Sequence, residues 1–236
     1  MSRDQSQASG DRTVAAAGLR DFLVVVLAFG SGVADVTTFL ALGRVFSSVI
    51  TGNLVILGLA AATTEPNQAL RAGLAVAGYA AGTLIGLPIA GRARRASGDR
   101  IWPTSVTAAL CAEVCLIVAF TAGWEGGRHS YAGQVVLLVV LSAAMGIQSA
   151  AVLRLGDMSA TYMTGTLTGV LAGLVRRQRG EGRTRNVSVL VAVIAGAAIG
   201  AILIRTVPDW LPIAALLPIA IVITTASRAR WAPESP

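Results

Sequence analysis

The sequence predicts an all-α polytopic membrane protein, with six transmembrane helices, two short re-entrant or broken half-helices and an internal repeat read as inverted. Three observations carry this expectation. The 236-residue chain is 54% hydrophobic and only 13% charged, with a mean hydropathy of +0.69, too apolar for a soluble domain of this length. Its apolar residues fall into six runs of spanning length and two short ones. Finally, Leu40-Ala-Leu-Gly43 and the following Thr51-Gly52-Asn53-Leu54 recur at the same spacing as Leu153-Arg-Leu-Gly156 and Thr164-Gly165-Thr166-Leu167.

Taken in order, residues 1–20 mix Ser, Gln, Asp and Arg and read as a disordered cytoplasmic tail. They lack the apolar core of a cleavable signal peptide, so the first span is expected to direct insertion itself. Spans are expected at 22–42, 70–90, 102–122, 134–153, 186–204 and 208–226. Each is long enough to cross a hydrocarbon core of about 30 Å at about 1.5 Å per residue. The segments 51–62 and 164–175 are shorter. Each would form roughly 18 Å of helix, which reaches about the midplane of a bilayer. The first repeat then occupies 21–122, the second 133–226, and 227–236 form a second cytoplasmic tail.

Arginine bias separates this arrangement from one of eight full crossings. All nineteen basic residues are Arg. With six spans, fifteen of them fall inside, in the N-terminal tail, the Arg92–Arg100 loop, Arg154, the Arg176–Arg185 loop and the C-terminal tail; four fall outside, at Arg44, Arg71, Arg128 and Arg205. Eight spans give twelve against seven, so the positive-inside rule prefers six, with both termini cytoplasmic. Three crossings per repeat is an odd number, which inverts the second repeat relative to the first.

Other patterns exclude functions or suggest packing. The arginines cluster between spans, as cytoplasmic anchors against anionic lipid do, and form no continuous face for nucleic acid. Cys111 and Cys115 share a helix face at a spacing poor for a disulfide and are expected to pack as small residues. His129 is the lone histidine, so no His-based metal site or Ser-His pair can be built, and neither metal nor cofactor is expected. Gly78, Gly82 and Gly86, answered by Gly196 and Gly200, permit close helix crossings; packing within the chain is preferred, and a homo-oligomer through these faces is the other use.

The candidate site lies at the two helix breaks, because irregular backbone at membrane depth is tolerated only where protein or a wet cavity satisfies it. Thr51 and Thr164 are expected to cap the half-helices, with Gly52 and Gly165 allowing close approach and Asn53 and Thr166 adding polar contacts. Two half-helices entering from opposite faces would bring their N-termini, each partly positive, together near mid-membrane, an arrangement suited to a polar or anionic solute. Asp35 and its repeat counterpart Gln148 stand beside the breaks. Asp35 is a candidate proton site, as is Glu113 in the third span, since an ionised carboxylate in a span costs several kcal/mol unless paired or wetted.

Gly32-Val-Ala-Asp35, Phe39-Leu-Ala-Leu-Gly43, Val45-Phe46 and Thr51-Gly52-Asn53 resemble the signature of the YoaK-like family of uncharacterised bacterial inner-membrane proteins, and the likeness in length and span count extends along nearly the whole chain. The resemblance implies a multi-pass protein of the bacterial plasma membrane and adds no substrate. The second copy departs from the signature, with Gln148 for Asp and Thr166 for Asn. With no catalytic set visible, an enzyme is not expected. The expected function is a small permease or channel-like transporter for a small polar or anionic solute; the alternative is a non-transporting membrane scaffold or sensor.

Overall fold

Runs of apolar residues without an interior break become long helices, and the runs that Thr-Gly interrupts become short ones. A computed structural model describes residues 3–91, 102–155, 163–175 and 181–231. Among these are eight α-helices: α1 (Arg3–Ala41), α2 (Ile50–Ala62), α3 (Pro66–Ala90), α4 (Thr104–Gly127), α5 (Tyr131–Arg154), α6 (Met163–Val175), α7 (Glu181–Thr206) and α8 (Leu211–Trp231). A 3₁₀ turn, Pro208–Trp210, precedes α8. Local chemistry sets several boundaries. Pro66 opens α3 where its missing N–H is no loss. Ser130 caps α5 by accepting from the Gly133 N–H. Gly91, at φ +76°, closes α3.

Six helical segments are long and apolar enough to cross a bilayer: Ala17–Ala41, Pro66–Ala90, Thr104–Gly127, Tyr131–Arg154, Gly182–Thr206 and Pro208–Arg228. They match the expected spans to within a few residues, and Ile50–Ala62 and Met163–Val175 are the two short apolar helices. Large apolar side chains face outward along them, among them Val55, Leu84 and Ile194, each about two-thirds exposed or more. Exposed apolar surface on this scale belongs against lipid tails. The first twenty residues differ from expectation: the backbone is helical from Arg3 and runs on into the span. Val14-Ala-Ala-Ala17 favours helix, and no proline intervenes before the packed part of α1 begins at Leu23. Residues 1–2 and 232–236 of the two tails, the Arg92–Arg100 loop, Gly156 and Arg176–Arg177 lie outside the described residues.

Two close crossings organise the bundle: α3 packs on α5, and α1 packs on α7. Both are made by glycine. A methyl group on Gly82 would overlap the Ala143 carbonyl, and one on Gly146 would overlap the Tyr79 carbonyl. Gly32 and Gly196 meet the Val193 and Phe29 carbonyls in the same way. Gly78 and Gly86 adjoin Val139 and Ala150 of α5, while Gly200 adjoins Val36 of α1. These glycine faces on α3, α5, α1 and α7 are therefore filled by the chain itself. The cysteines correct a second expectation: Cys111 and Cys115 are exposed on the outer face of α4 and are not packing residues.

Around these crossings α4 forms a hairpin with α5, α8 packs on α1 and α4, α2 lies against α3, and α6 lies against α7. Exchanging α1–α4 for α5–α8 maps these pairings onto one another: α3–α5 onto α7–α1, α2–α3 onto α6–α7, and α4–α5 onto α8–α1. The α4–α5 and α7–α8 turns are tied together at one end. Arg128 pairs with Glu125 and Asp209, and the Trp124 indole N–H donates to the Pro208 carbonyl.

Hydrogen bonds fix the course of α2. Ser47 and Ser48 bond to Asp35, so after α1 ends the chain turns back by about six residues of helix, or about 9 Å, before α2 starts. The 13 residues of α2 then rise about 20 Å. α3 begins on the side where α1 ended: Arg71 Nη1 donates to the Leu42 carbonyl at 2.9 Å, and Gln68 lies against the Arg44 carbonyl. The helix α2 enters and leaves by one face, so it is re-entrant.

Gly82→Val should lower the midpoint of thermal unfolding in detergent by an amount equivalent to about 1–3 kcal/mol, because the α3–α5 backbones must separate. Gly73→Ala on the same helix meets open space and should leave the midpoint unchanged or raised.

Candidate functional site

A helix that starts inside a membrane must satisfy the backbone of the segment leading into it. Here three side chains do so. Asp35, on α1, accepts from the Ser47 hydroxyl (2.9 Å) and the Ser48 N–H (2.7 Å) on Oδ1, and from the Ser48 hydroxyl (2.6 Å) on Oδ2. Asn53 is fully buried and takes both backbone groups of Phe46, accepting from its N–H at 2.9 Å and donating to its carbonyl at 2.6 Å. Arg71 holds the Leu42 carbonyl and also donates to Gln134 Oε1, with Tyr131 stacked 4.8 Å from its guanidinium. The Phe46 ring lies on Phe39 of α1, with ring centroids 5.1 Å apart.

This arrangement explains the Leu-x-Leu-Gly motif. Gly43 has φ +115°, a conformation open to glycine, and Arg71 fills the space a side chain would need. It also revises the expected caps. The residue preceding α2 is Val49, which makes no side-chain cap. Thr51 is one residue inside the helix and exposed, because Asp35 already holds the Ser48 amide and Asn53 the Phe46 backbone.

A cavity of about 320 Å³ lies between the two half-helix N-termini. Among the described residues it is lined by Ser31 and Asp35 of α1, Ser48, Val49, Ile50 and Thr51 at the start of α2, Tyr79 of α3, Met163, Thr164 and Gly165 of α6, and Val193 of α7. Of the residues singled out in the sequence, Asp35, Thr51, Thr164 and Gly165 border this space. Gly52 does not; its small size admits the Phe46 ring and the Val49 side chain. Asn53 and Thr166 are buried away from it. Gln148 sits one layer behind, donating to Ser31 Oγ at 2.8 Å.

Glu113 is elsewhere. It is fully buried on the face of α4 that also carries Leu110 and Ile117, and neither carboxyl oxygen has a hydrogen-bond partner. Arg44, with φ 59°, sits in the turn after α1, whereas Asp157 and Met158 lie outside the described residues. Among the described residues no three His, Cys, Asp or Glu side chains converge as metal ligands would. Sequence reasoning missed Ser31, Ser48, Tyr79 and Arg71. Ser, Tyr and Arg at span edges are common, and only the packing of α1, α3 and α5 gives these four a role.

Asp35→Ala should leave the Ser48 amide and two serine hydroxyls unanswered, at a cost of about 1–3 kcal/mol for each buried group so exposed. Backbone amide exchange over 45–53 should accelerate while that of the α4–α5 turn stays unchanged; equal protection in both segments would contradict this role.

Comparison with known proteins places the chain. Residues 23–226 match the family described as "Protein of unknown function (DUF1275)". The chain is also similar to the "UPF0700 transmembrane protein YoaK" of Bacillus subtilis (strain 168), with 32% identity over 164 residues, covering 69% of this chain and 70% of that protein. No solved structure matches it significantly. With six helices of spanning length, a re-entrant α2 and a family match over nearly the whole helical bundle, the chain is an integral membrane protein of the DUF1275 family, to which YoaK-like proteins belong.

Proposed function

We propose that the protein is a small permease or channel-like transporter that passes a small polar solute through the cavity between α2 and α6. The single observation that carries this reading is the cavity itself: a mostly apolar space between two broken helices that Asp35, Ser31, Ser48, Thr51 and Thr164 punctuate with polar groups. Its volume is at the lower end of small-molecule sites, about 300–1,000 Å³, so the solute is small. Broken helices facing each other across a polar space are the usual way a membrane protein builds a solute site from helix termini.

The pairing of helices under exchange of the two halves supports an inverted repeat. Alternating access would then arise from movement of one half against the other, with α2 and α6 as the elements that bracket the solute. In this reading Thr51, Thr164 and Gly165 border the path directly, and Asp35 supplies its charge and is the candidate site of proton coupling. Gln148, Asn53, Gly52 and Thr166 support the wall. Glu113 is a second candidate proton site, away from the path. The bilayer is that of a bacterial plasma membrane with both termini cytoplasmic, in keeping with the arginine distribution. Among the described residues no group suggests catalysis.

The scaffold or sensor alternative is separated by flux. Thr51 and Gly165 are both exposed, and Gly165 has open space around it, so Leu at either position fits the fold. Reconstituted wild-type protein should move a small polar solute saturably, and Thr51→Leu and Gly165→Leu should slow that flux severalfold without changing thermal stability. A wild type that moves and binds no small polar solute, with variants as stable, would favour the scaffold.

A further inference from the structure

Three of the five hydroxyl-bearing side chains that line the cavity have spent their hydrogens within the protein; Thr51 and Thr164 are the other two. Ser48 donates its hydroxyl proton to Asp35, Ser31 donates to the Leu27 carbonyl at 3.3 Å, and Tyr79 donates to Ser149 Oγ at 2.7 Å. Ser31 and Ser48 therefore turn lone pairs, not hydrogens, toward any occupant. Ser31 also accepts from Gln148 Nε2, which leaves it one acceptor position at most. Asp35 adds carboxylate oxygens and is the charged side chain among the described lining residues. It is nine-tenths buried and accepts from three donors. The Tyr79 hydroxyl is committed to α5, so its ring is the part left to border the space.

An ammonium group, with three donors, no acceptor and a positive charge, is the complement of the part of the wall formed by Asp35, Ser31 and Ser48. Carboxylates and aromatic faces both attract it. We propose that the cavity takes a small solute carrying a protonated primary amine, with the ammonium docked between the Asp35 carboxylate and Tyr79. The assignment rests on the cavity being a solute site and narrows the expected solute class away from simple anions. The partial positive charge at the start of α2 is offset by the Asp35 carboxylate, which holds the Ser48 N–H two residues before the helix begins. The start of α6, at Thr164 and Gly165, lies elsewhere on the cavity wall, where it tolerates a carboxylate at the far end of the same solute without requiring one.

The test is calorimetric titration of the full chain in detergent at neutral pH with four size-matched probes: n-butylammonium, 4-aminobutyrate, butyrate and butyramide. Both amine-bearing probes should bind, while butyrate and butyramide should not. Asp35→Asn should weaken amine binding by about tenfold or more, as loss of a charge-assisted hydrogen bond does. Because Asp35 also holds the turn before α2, a second pair of variants separates recognition from folding. Tyr79→Phe keeps the ring and should retain binding, whereas Tyr79→Leu should weaken it by about two- to fivefold. Binding of butyrate or butyramide in preference to the amines overturns the amine assignment and leaves permeation standing. Amine binding unchanged in Asp35→Asn and Tyr79→Leu also overturns it. Absence of binding by all four, together with absence of flux, overturns both.

Discussion

The structure depends on how a chain can stop and restart a helix inside a bilayer. No water is available there to take a free N–H or carbonyl, and each one left bare costs several kcal/mol. Between α1 and α2 the protein meets this requirement with side chains drawn from three helices. Asp35 of α1 takes the Ser48 amide, Asn53 of α2 takes both backbone groups of Phe46, and Arg71 of α3 takes the Leu42 carbonyl. The re-entrant course of α2 follows from these bonds, and the cavity follows from where α2 begins. Motif residues that look like ligands are, in part, the supports of a break.

The glycine crossings supply the second requirement. Helices in lipid gain little from hydrophobic contact with one another, so close backbone approach has to carry association. Gly32 with Gly196, and Gly82 with Gly146, let α1–α7 and α3–α5 approach until a carbonyl of one helix lies where a side chain of the other would be. These two crossings position α1, α3 and α7, which with the starts of α2 and α6 form the described cavity wall. The two halves are not chemically alike at the site: α1 offers a carboxylate where α5 offers Gln148, which faces Ser31 instead of the cavity. The charged side chain among the described lining residues therefore lies on the first half.

Much of this was legible in the sequence because bilayer physics leaves few options. Uninterrupted apolar runs gave the six spans, and their length alone separated them from α2 and α6. Asp35 and the Thr-Gly pairs were found because polar residues in a hydrocarbon setting demand a reason. The capping role given to Thr51 failed because a Thr before an apolar run looks the same whether it caps or lies one residue inside the helix. Asn53 looked like a ligand until its backbone partner Phe46 was placed. Arg71 and Tyr79 carried no local signal, since their partners are distant in sequence: Leu42 and Gln134 for Arg71, Ser149 for Tyr79. The N-terminal tail reads as disordered from composition, whereas the backbone is helical from Arg3, with the Ala-rich stretch at 14–17 inside α1.

The central claim is that two half-helices bring their N-termini to one cavity, and its most direct measurement is proximity across that space. In a Cys111→Ala/Cys115→Ala background, Thr51→Cys and Thr164→Cys should be joined within one chain by a short thiol-to-thiol cross-linker. Cys at Thr51 paired with Cys at Thr206, at the end of α7, should not be joined. Failure of the first pair to cross-link in folded protein, or equal cross-linking of the second, would contradict the convergence on which the site depends.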